Sequence, residues 1–309
     1  MCRFGQWPLG WDGDSRDRSP RGVAMSQLLG LWKLVRPRQW IKNSFVLAPL
    51  VFAGEFTNLH AIGQVLIAMV MFCVASSAAY IVNDVRDIDR DRCHAKKRNT
   101  RPLASGAASI PAALTLLAVL YGVLAVGWFV QPTVVAVISG YLMLNMAYSF
   151  WLKQQPVLDI FSIAFGFVLR VYAGAQALAV PVSSWMFVTT LCLALYLAAI
   201  KRRQELSQNG CDGREVLQRY TVALVDRYAE MAATGALLFY SMFVMSTHPD
   251  LVITVPVVLF GLFRYWYVVE KFDGGESPTD ALLTDGPLLA TVAGWVGACI
   301  WVLWPAAQG

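Results

Sequence analysis

Long apolar runs separated by short polar segments dominate this sequence of 309 residues. A helix needs about 17 to 25 apolar residues to cross a hydrocarbon core about 30 Å thick. The sequence therefore predicts an all-α membrane protein that crosses the bilayer about nine times. The first run is short, contains Pro49, and has the amphipathic stretch 28–40 as a candidate continuation. The nine runs are residues 40–54, 61–82, 110–130, 133–150, 157–178, 184–200, 225–246, 250–270 and 287–305.

The basic residues are distributed asymmetrically between these runs. The connections 55–60, 131–132, 179–183 and 247–249 contain no Lys or Arg. The alternate segments 1–39, 83–109, 151–156, 201–224 and 271–286 all contain basic residues. Because positive charge favours the cytoplasmic side, we expect the N-terminus and the two long charged loops to be cytoplasmic. Residues 1–26 are expected to be a disordered tail, and 27–309 a single transmembrane domain.

Acidic residues cluster where the second run ends. Asn83, Asp87 and Asp91 are four residues apart, and Asp84 is three residues before Asp87, so a continuing helix places all four on one face. Carboxylates on one face repel each other, and Mg²⁺ relieves that repulsion by binding them together with substrate phosphates. We expect a magnesium–diphosphate site here. The alternative is a solvated acidic helix end that pairs with its own arginines.

Basic residues follow this motif and open the second charged loop. Arg98 and Arg101 could neutralise phosphate oxygens, although the same charges would serve membrane topology alone. The second loop begins with Lys201-Arg202-Arg203-Gln204-Glu205, in which Lys201 and Glu205 are one helical turn apart. Cations that cap a helix C-terminus would explain Lys201 and Arg202, but they would not explain Glu205.

Three further charges fall within apolar runs. Arg170 is deep in its run, where a charge is expensive and usually functional. Asp159 is about three helical turns earlier and therefore on the same face, so we expect both side chains to point into the protein. Arg264 invites the same interpretation, with snorkelling to the cytoplasmic interface as its alternative. Aromatic and basic residues are not interleaved as in proteins that bind single-stranded nucleic acid, so we expect no nucleic-acid partner.

Together these motifs resemble the UbiA-type intramembrane prenyltransferase superfamily, across nearly the whole chain after residue 30. That resemblance implies nine helices around a central cavity that opens to the cytoplasm, with Mg²⁺ as cofactor. The motifs that carry it are Arg36-Pro37-x-x-Trp40-x-Lys42-Asn43, Asn83-Asp84-x-x-Asp87-x-x-x-Asp91, Arg101-Pro-Leu-Ala-Ser-Gly106 and Tyr148 to Lys153.

One departure points to a branch of that superfamily. Lys201-Arg202-x-x-Glu205 stands where most members carry a second D-x-x-x-D motif, and it is similar to the decaprenyl-phosphate phosphoribosyltransferases of the bacterial plasma membrane, which feed cell-wall arabinan assembly. The final loop agrees with this branch, through Phe263-Arg264-Tyr265 and Asp273-Gly274-Gly275-x-x-Pro278-x-Asp280. The branch implies transfer of 5-phosphoribose from 5-phosphoribosyl 1-diphosphate to a polyprenyl (decaprenyl) phosphate in the lipid bilayer, with release of diphosphate.

The resemblance also implies roles for individual residues. Catalytic roles fall to Asp84, Asp87, Asp91, Lys201, Arg202 and Glu205. Metal binding falls to Asn83, Asp84, Asp87 and Asp91. Substrate binding falls to Lys42, Asn83, Arg98, Arg101, Tyr148, Lys153, Asp159, Arg170 and Arg264. Two alternatives stay open, namely a prenyltransferase that uses a prenyl diphosphate and an aromatic acceptor, and a non-enzymatic lipid-binding or transport protein. A homo-oligomer stays open as well.

Overall fold

The computed structural model describes residues 20–93, 97–209, 215–272 and 278–305. These residues form α-helices and short 3₁₀ turns, with no β-strand in the described ranges. The predicted tail lies largely outside them, but the first helix already begins at Pro20. The helices are α1 (Pro20–Val35), α2 (Ala48–Phe52), α3 (Leu59–Arg86), α4 (Ile88–Cys93), α5 (Lys97–Thr100), α6 (Ile110–Gly127), α7 (Pro132–Phe150), α8 (Leu158–Leu178), α9 (Ser184–Asn209), α10 (Val222–Thr247), α11 (Val255–Phe272), α12 (Pro278–Thr284) and α13 (Gly286–Leu303).

Eight of the described helices, α3, α6 to α11 and α13, are long and apolar enough to cross a membrane. The predicted multi-pass all-α fold is therefore confirmed. The first predicted run, residues 40–54, is not one continuous helix. It forms 3₁₀ turns over Pro37–Leu47 and the five-residue α2. Proline supplies no backbone N–H and is tolerated only in the first turn of a helix, which is where Pro49 lies in α2.

Capping side chains define where several long helices begin. The Oδ1 atom of Asn58 accepts hydrogen bonds from two backbone N–H groups at the start of α3, at 3.0 and 3.3 Å. Ser109, Thr221 and Asp285 accept equivalent bonds at the starts of α6, α10 and α13. These residues satisfy N–H groups that have no partner within the helix, so each polar segment ends at a defined residue.

Helix α8 lies at the centre of the bundle. It packs against α3, α7, α9 and the 3₁₀ segment Pro37–Leu47. The 3₁₀ segment approaches α8 so closely that a Cβ atom on Gly174 would lie 1.9 Å from the carbonyl oxygen of Val46. Only glycine permits that contact. A core of buried apolar side chains joins α9, α10 and α11. The bundle therefore surrounds α8 with its two neighbours in sequence, α7 and α9, and with the distant α3 and Pro37–Leu47.

The two ends of the bundle differ in chemistry. At one end, ion pairs join α8 to α9, α9 to α10 and α11, and α11 to the start of α13. We call this the charged end. The opposite end is joined by neutral contacts, such as Gln131 Nε2 donating to the backbone oxygen of Gln64 at 3.0 Å and His248 Nε2 lying 3.1 Å from the backbone oxygen of Phe52. The predicted charge asymmetry therefore corresponds to two physical faces of one fold.

Candidate active site

The acidic motif lies at the charged end, where α3 passes into α4. The backbone N–H of Asp87 donates to Asn83 O at 2.9 Å, and that of Asp91 donates to Asp87 O at 2.8 Å. These are helical i to i−4 bonds, so helical spacing continues through the junction. Asn83, Asp87 and Asp91 therefore remain one above the other, with Asp84 beside them.

Two arginines neutralise Asp84. Its Oδ1 atom accepts hydrogen bonds from Arg36 Nη2 and from Arg101 Nη1, the latter at 3.2 Å. Asp84 is only 2% exposed, and its Oδ2 atom has no hydrogen-bond partner. Arg36 reaches the site from a left-handed backbone conformation, φ 56°, immediately before Pro37. A buried carboxylate oxygen without a partner is costly and marks a position where a ligand could bind.

Lysine and serine from the end of α7 contact the rest of the motif. Lys153 lies in the 3₁₀ turn Leu152–Gln154 after α7, and its Nζ atom donates to both oxygens of Asp87, at 2.8 and 2.9 Å. Ser149 Oγ donates to Asn83 Oδ1 at 3.3 Å. We call Asn83, Asp84, Asp87 and Asp91, with Arg36, Arg101, Lys153 and Ser149, the first cluster.

A second cluster surrounds Arg202, which is completely buried. Its guanidinium donates to Asp159, to Glu205 and, at 3.0 Å, to the Tyr148 hydroxyl. Tyr220 also donates to Asp159, at 2.7 Å. Burial raises the pKa of the Tyr220 hydroxyl, which therefore stays protonated and can act as that donor. Asp159 and Glu205 thus share one internal cation.

The last turn of α7 joins the two clusters. Tyr148 contacts Arg202 in the second cluster, and the next residue, Ser149, contacts Asn83 in the first. Lys201 borders the second cluster, with its Nζ atom 3.9 Å from Glu205 Oε1 and about a third of its side chain exposed. The two charged loops predicted from the sequence therefore meet at one site.

The remaining predicted residues lie elsewhere. Arg170 is buried within the spans and donates to Asn43 Oδ1 at 2.8 Å, to Gly166 O at 2.7 Å and to the Tyr141 hydroxyl at 3.1 Å. Both Asp159 and Arg170 point into the protein, but the structure gives them different partners. Lys42 lies half-buried in the 3₁₀ segment Pro37–Leu47, and Arg98 is exposed in α5.

Arg264 holds the start of α13. It donates to both oxygens of Asp285, at 3.0 and 2.7 Å, and Asp285 Oδ1 accepts the N–H of Leu288 at 2.8 Å. The hydrogen bond from Arg264 lowers the pKa of the Asp285 carboxyl. Of the final-loop motif that follows Arg264, residues 273–275 lie outside the described ranges.

Comparison with known proteins agrees with this architecture. Residues 44–284 match the UbiA prenyltransferase family. The chain belongs to this family. It is 34% identical over 297 residues to a decaprenyl-phosphate phosphoribosyltransferase from Mycolicibacterium smegmatis, covering 89% of this chain and 93% of that protein. It is also 34% identical over 283 residues to the protein of the same name from Corynebacterium glutamicum, covering 86% and 84% of the two chains.

A solved structure shows the same fold. A UbiA homolog from Archaeoglobus fulgidus, bound to GPP and Mg²⁺, superimposes with a TM-score of 0.66. The match covers 89% of this chain and 99% of that chain, at 18% sequence identity. The UbiA fold therefore persists although most residues differ.

Three residues that contact the predicted residues of this candidate site were not themselves predicted. Arg36, Ser149 and Tyr220 contact Asp84, Asn83 and Asp159 respectively. Arg36 had a sequence signal, because it opens the Arg36-Pro37 motif. Ser149 had a weaker one, since it follows Tyr148 on the same turn. Tyr220 had none, because nothing in the local sequence distinguishes it from other tyrosines at a membrane interface.

The first cluster fits a hard divalent cation that arrives with phosphate. Among the described residues, no group of three His, Cys, Asp or Glu side chains is close enough to hold a metal on its own. Mg²⁺ normally binds one or two protein carboxylates and completes its shell with water and substrate phosphates. The free, buried Asp84 Oδ2 atom and the adjacent Asp87 and Asp91 supply that chemistry.

Proposed function

We propose that this UbiA-family protein transfers 5-phosphoribose from 5-phosphoribosyl 1-diphosphate to a polyprenyl phosphate and releases diphosphate. The observation that carries this proposal is the second cluster. There the buried Arg202 neutralises Asp159 and Glu205, and Lys201 keeps about a third of its side chain exposed, so this loop offers a lysine to a phosphate instead of a second set of free carboxylates. The relatives named decaprenyl-phosphate phosphoribosyltransferase support the same assignment. A donor and an acceptor that both carry phosphates need such cations.

The first cluster would receive the diphosphate of the donor. One or two side chains from Asn83, Asp84, Asp87 and Asp91 would hold Mg²⁺ together with phosphate oxygens, and the metal would supply Lewis-acid stabilisation of charge on a departing diphosphate. Arg101 and Lys153 lie on the same carboxylates and can turn toward the phosphate oxygens. These side chains stabilise negative charge where it develops, which is the contribution that lowers the barrier.

The acceptor requires little activation. A phosphate oxygen is already ionised at pH 7, so the site needs no strong general base. Lys201 is the best-exposed cation of the second cluster and is proposed to bind a phosphate of the donor or acceptor. Arg202 is proposed to hold Glu205 and Tyr148 in position through its buried guanidinium group. Arg170 and Arg264 are proposed to stabilise the bundle, because their guanidinium groups are occupied away from both clusters.

The location of the site explains how two dissimilar substrates meet. The charged end is proposed to face the cytoplasm of a bacterial cell, which supplies the water-soluble donor. The isoprenoid tail of the acceptor would remain in the bilayer and place its phosphate at the charged end. This arrangement requires the tail to enter between helices, because an apolar tail stays in the hydrocarbon core.

A transfer assay tests the proposal. Membranes that contain the chain are given polyprenyl phosphate, Mg²⁺ and radiolabelled 5-phosphoribosyl 1-diphosphate, and label is measured in the lipid fraction. We expect transfer by the native chain and at least a 100-fold loss in Asp87→Asn. Asp89→Asn is the matched control, because Asp89 is two residues away with a side chain that is 93% exposed. It should retain near-native transfer.

Two outcomes would contradict the proposal. Absence of transfer in membranes that do prenylate an aromatic acceptor from a prenyl diphosphate would favour the alternative prenyltransferase activity. Equal losses in Asp87→Asn and Asp89→Asn would show that the acidic motif acts through bulk charge and does not bind a metal at specific side chains.

A further inference from the structure

Two carboxylates of the first cluster, Asp84 and Asp87, are paired with cations from other segments of the chain. Arg36 and Arg101 contact Asp84, and Lys153 contacts Asp87. The three cations come from three separate segments, so folding itself brings them to these two carboxylates. A bare dication that approaches Asp84 or Asp87 therefore meets a carboxylate that already has a cationic partner.

Lys153 differs from the two arginines in how it holds its carboxylate. Its ammonium donates to both oxygens of Asp87, while its side chain is only 8% exposed. A metal ion that binds Asp87 places a dication next to this ammonium, and the two cations repel each other. An ammonium displaced by metal alone would lie buried beside a dication without a counter-ion, which is electrostatically unfavourable.

A diphosphate changes this balance. It brings several negative charges with the metal, and its oxygens give Lys153 a new partner at the same moment. The lysine head group is a compact cation on a flexible four-carbon stem, so it can move without a change in the backbone. Arg202 lacks this freedom because three side chains hold its guanidinium.

We infer that Lys153 is a placeholder cation, which occupies Asp87 in the free protein and transfers to the diphosphate when metal and diphosphate bind together. This inference rests on the metal–diphosphate site of the proposed function and adds an order to its binding. The metal alone binds weakly, and the two ligands bind cooperatively. Cooperativity is reciprocal, so the metal strengthens diphosphate binding by the same factor.

Metal binding to the purified full-length chain tests this role without an activity measurement. Mn²⁺ serves as the probe for Mg²⁺, and free Mn²⁺ is counted by its electron paramagnetic resonance signal. Each titration is run with and without inorganic diphosphate, against a protein-free blank for the complex that forms in solution. For the native chain we expect diphosphate to tighten Mn²⁺ binding at least tenfold.

Lys153→Met removes the charge and keeps a side chain of similar length for the buried position. We expect this variant to bind Mn²⁺ alone at least tenfold more tightly than the native chain. We also expect diphosphate to tighten Mn²⁺ binding by this variant less than threefold. Lys153→Arg retains a cation and should keep weak binding of Mn²⁺ alone. Lys271→Met is the matched control at the charged end, where Lys271 is exposed beside Tyr267, and it should match the native chain.

The opposite signs of these effects separate a placeholder from a structural residue. A residue that only shapes the site would weaken both kinds of binding when it is replaced. If the Lys153→Met variant binds Mn²⁺ alone no better than the native chain does, the inference is wrong. If the native chain binds Mn²⁺ as tightly without diphosphate as with it, the inference is also wrong, and this second result does not depend on whether the variant folds. Cooperative binding that Lys153→Met abolishes, together with failed phosphoribosyl transfer, would instead leave Lys153 in this role and refute the proposed reaction.

Discussion

Replacement of Asp159 by Asn should destabilise the protein by about 3 kcal/mol. Asp159 is completely buried and accepts hydrogen bonds from Arg202 and Tyr220, and Arg202 is also completely buried. Removal of one partner from a buried ion pair typically costs about 3–5 kcal/mol, because the remaining charge loses its compensation. Glu205 still contacts Arg202 in the variant, so the lower end of that range applies.

Reversible unfolding in mixed micelles, followed by the loss of helical signal as denaturing detergent increases, measures this free energy. A loss of about 3 kcal/mol lowers the folding equilibrium constant by roughly 100-fold. Glu205→Gln should cost less, on the order of 1 kcal/mol, because the Glu205 side chain is one-fifth exposed and water compensates part of the loss. Asp89→Asn should be close to neutral.

The ranking of these variants decides whether the reasoning holds. An Asp159→Asn variant within about 1 kcal/mol of the native protein would show that the buried pair contributes little net stability. A larger loss in Glu205→Gln than in Asp159→Asn would show that Glu205 is the principal counter-ion of Arg202. Either result would refute the account of the second cluster as a structural ion pair centred on Asp159.

Two further predictions concern packing and pH. Gly174→Ala should strongly lower the yield of folded protein in detergent, because its Cβ would lie 1.9 Å from the facing backbone oxygen. Gly140→Ala, with open space at its Cβ, should be neutral or stabilising by up to about 1 kcal/mol, and equal losses in both would contradict the packing argument. Arg264 lowers the pKa of Asp285 in the folded state, so their contact stabilises the fold fully at pH values above the unfolded-state pKa of about 3.9. This stabilisation is lost as the pH falls through the lower folded-state pKa. Thermal unfolding midpoints between pH 6 and pH 3 should therefore fall less in Arg264→Gln than in the native protein, and parallel curves would refute the link.

The sequence alone determined the architecture and the position of the candidate site along the chain. The lengths of the apolar runs predicted a multi-pass helical protein, and eight described helices meet that criterion. The distribution of Lys and Arg distinguished the two ends. The spacing of Asn83, Asp84, Asp87 and Asp91 predicted a shared helical face, and helical hydrogen bonds continue through that stretch. These are local properties, because helix length and side-chain direction depend on neighbours within a few residues.

Only the tertiary structure decided which charges meet. Lys153 reaches Asp87 across 66 residues of sequence, and Arg202 reaches Asp159 across 43. The sequence placed Asp159 and Arg170 on one helix face, yet packing gave Asp159 an arginine partner and Arg170 neutral ones. Such pairings depend on how α3, α7, α8 and α9 pack together, which a pattern along one helix does not encode. The bilayer constrains each helix to span it, whereas the contacts between helices select the partners of each buried charge.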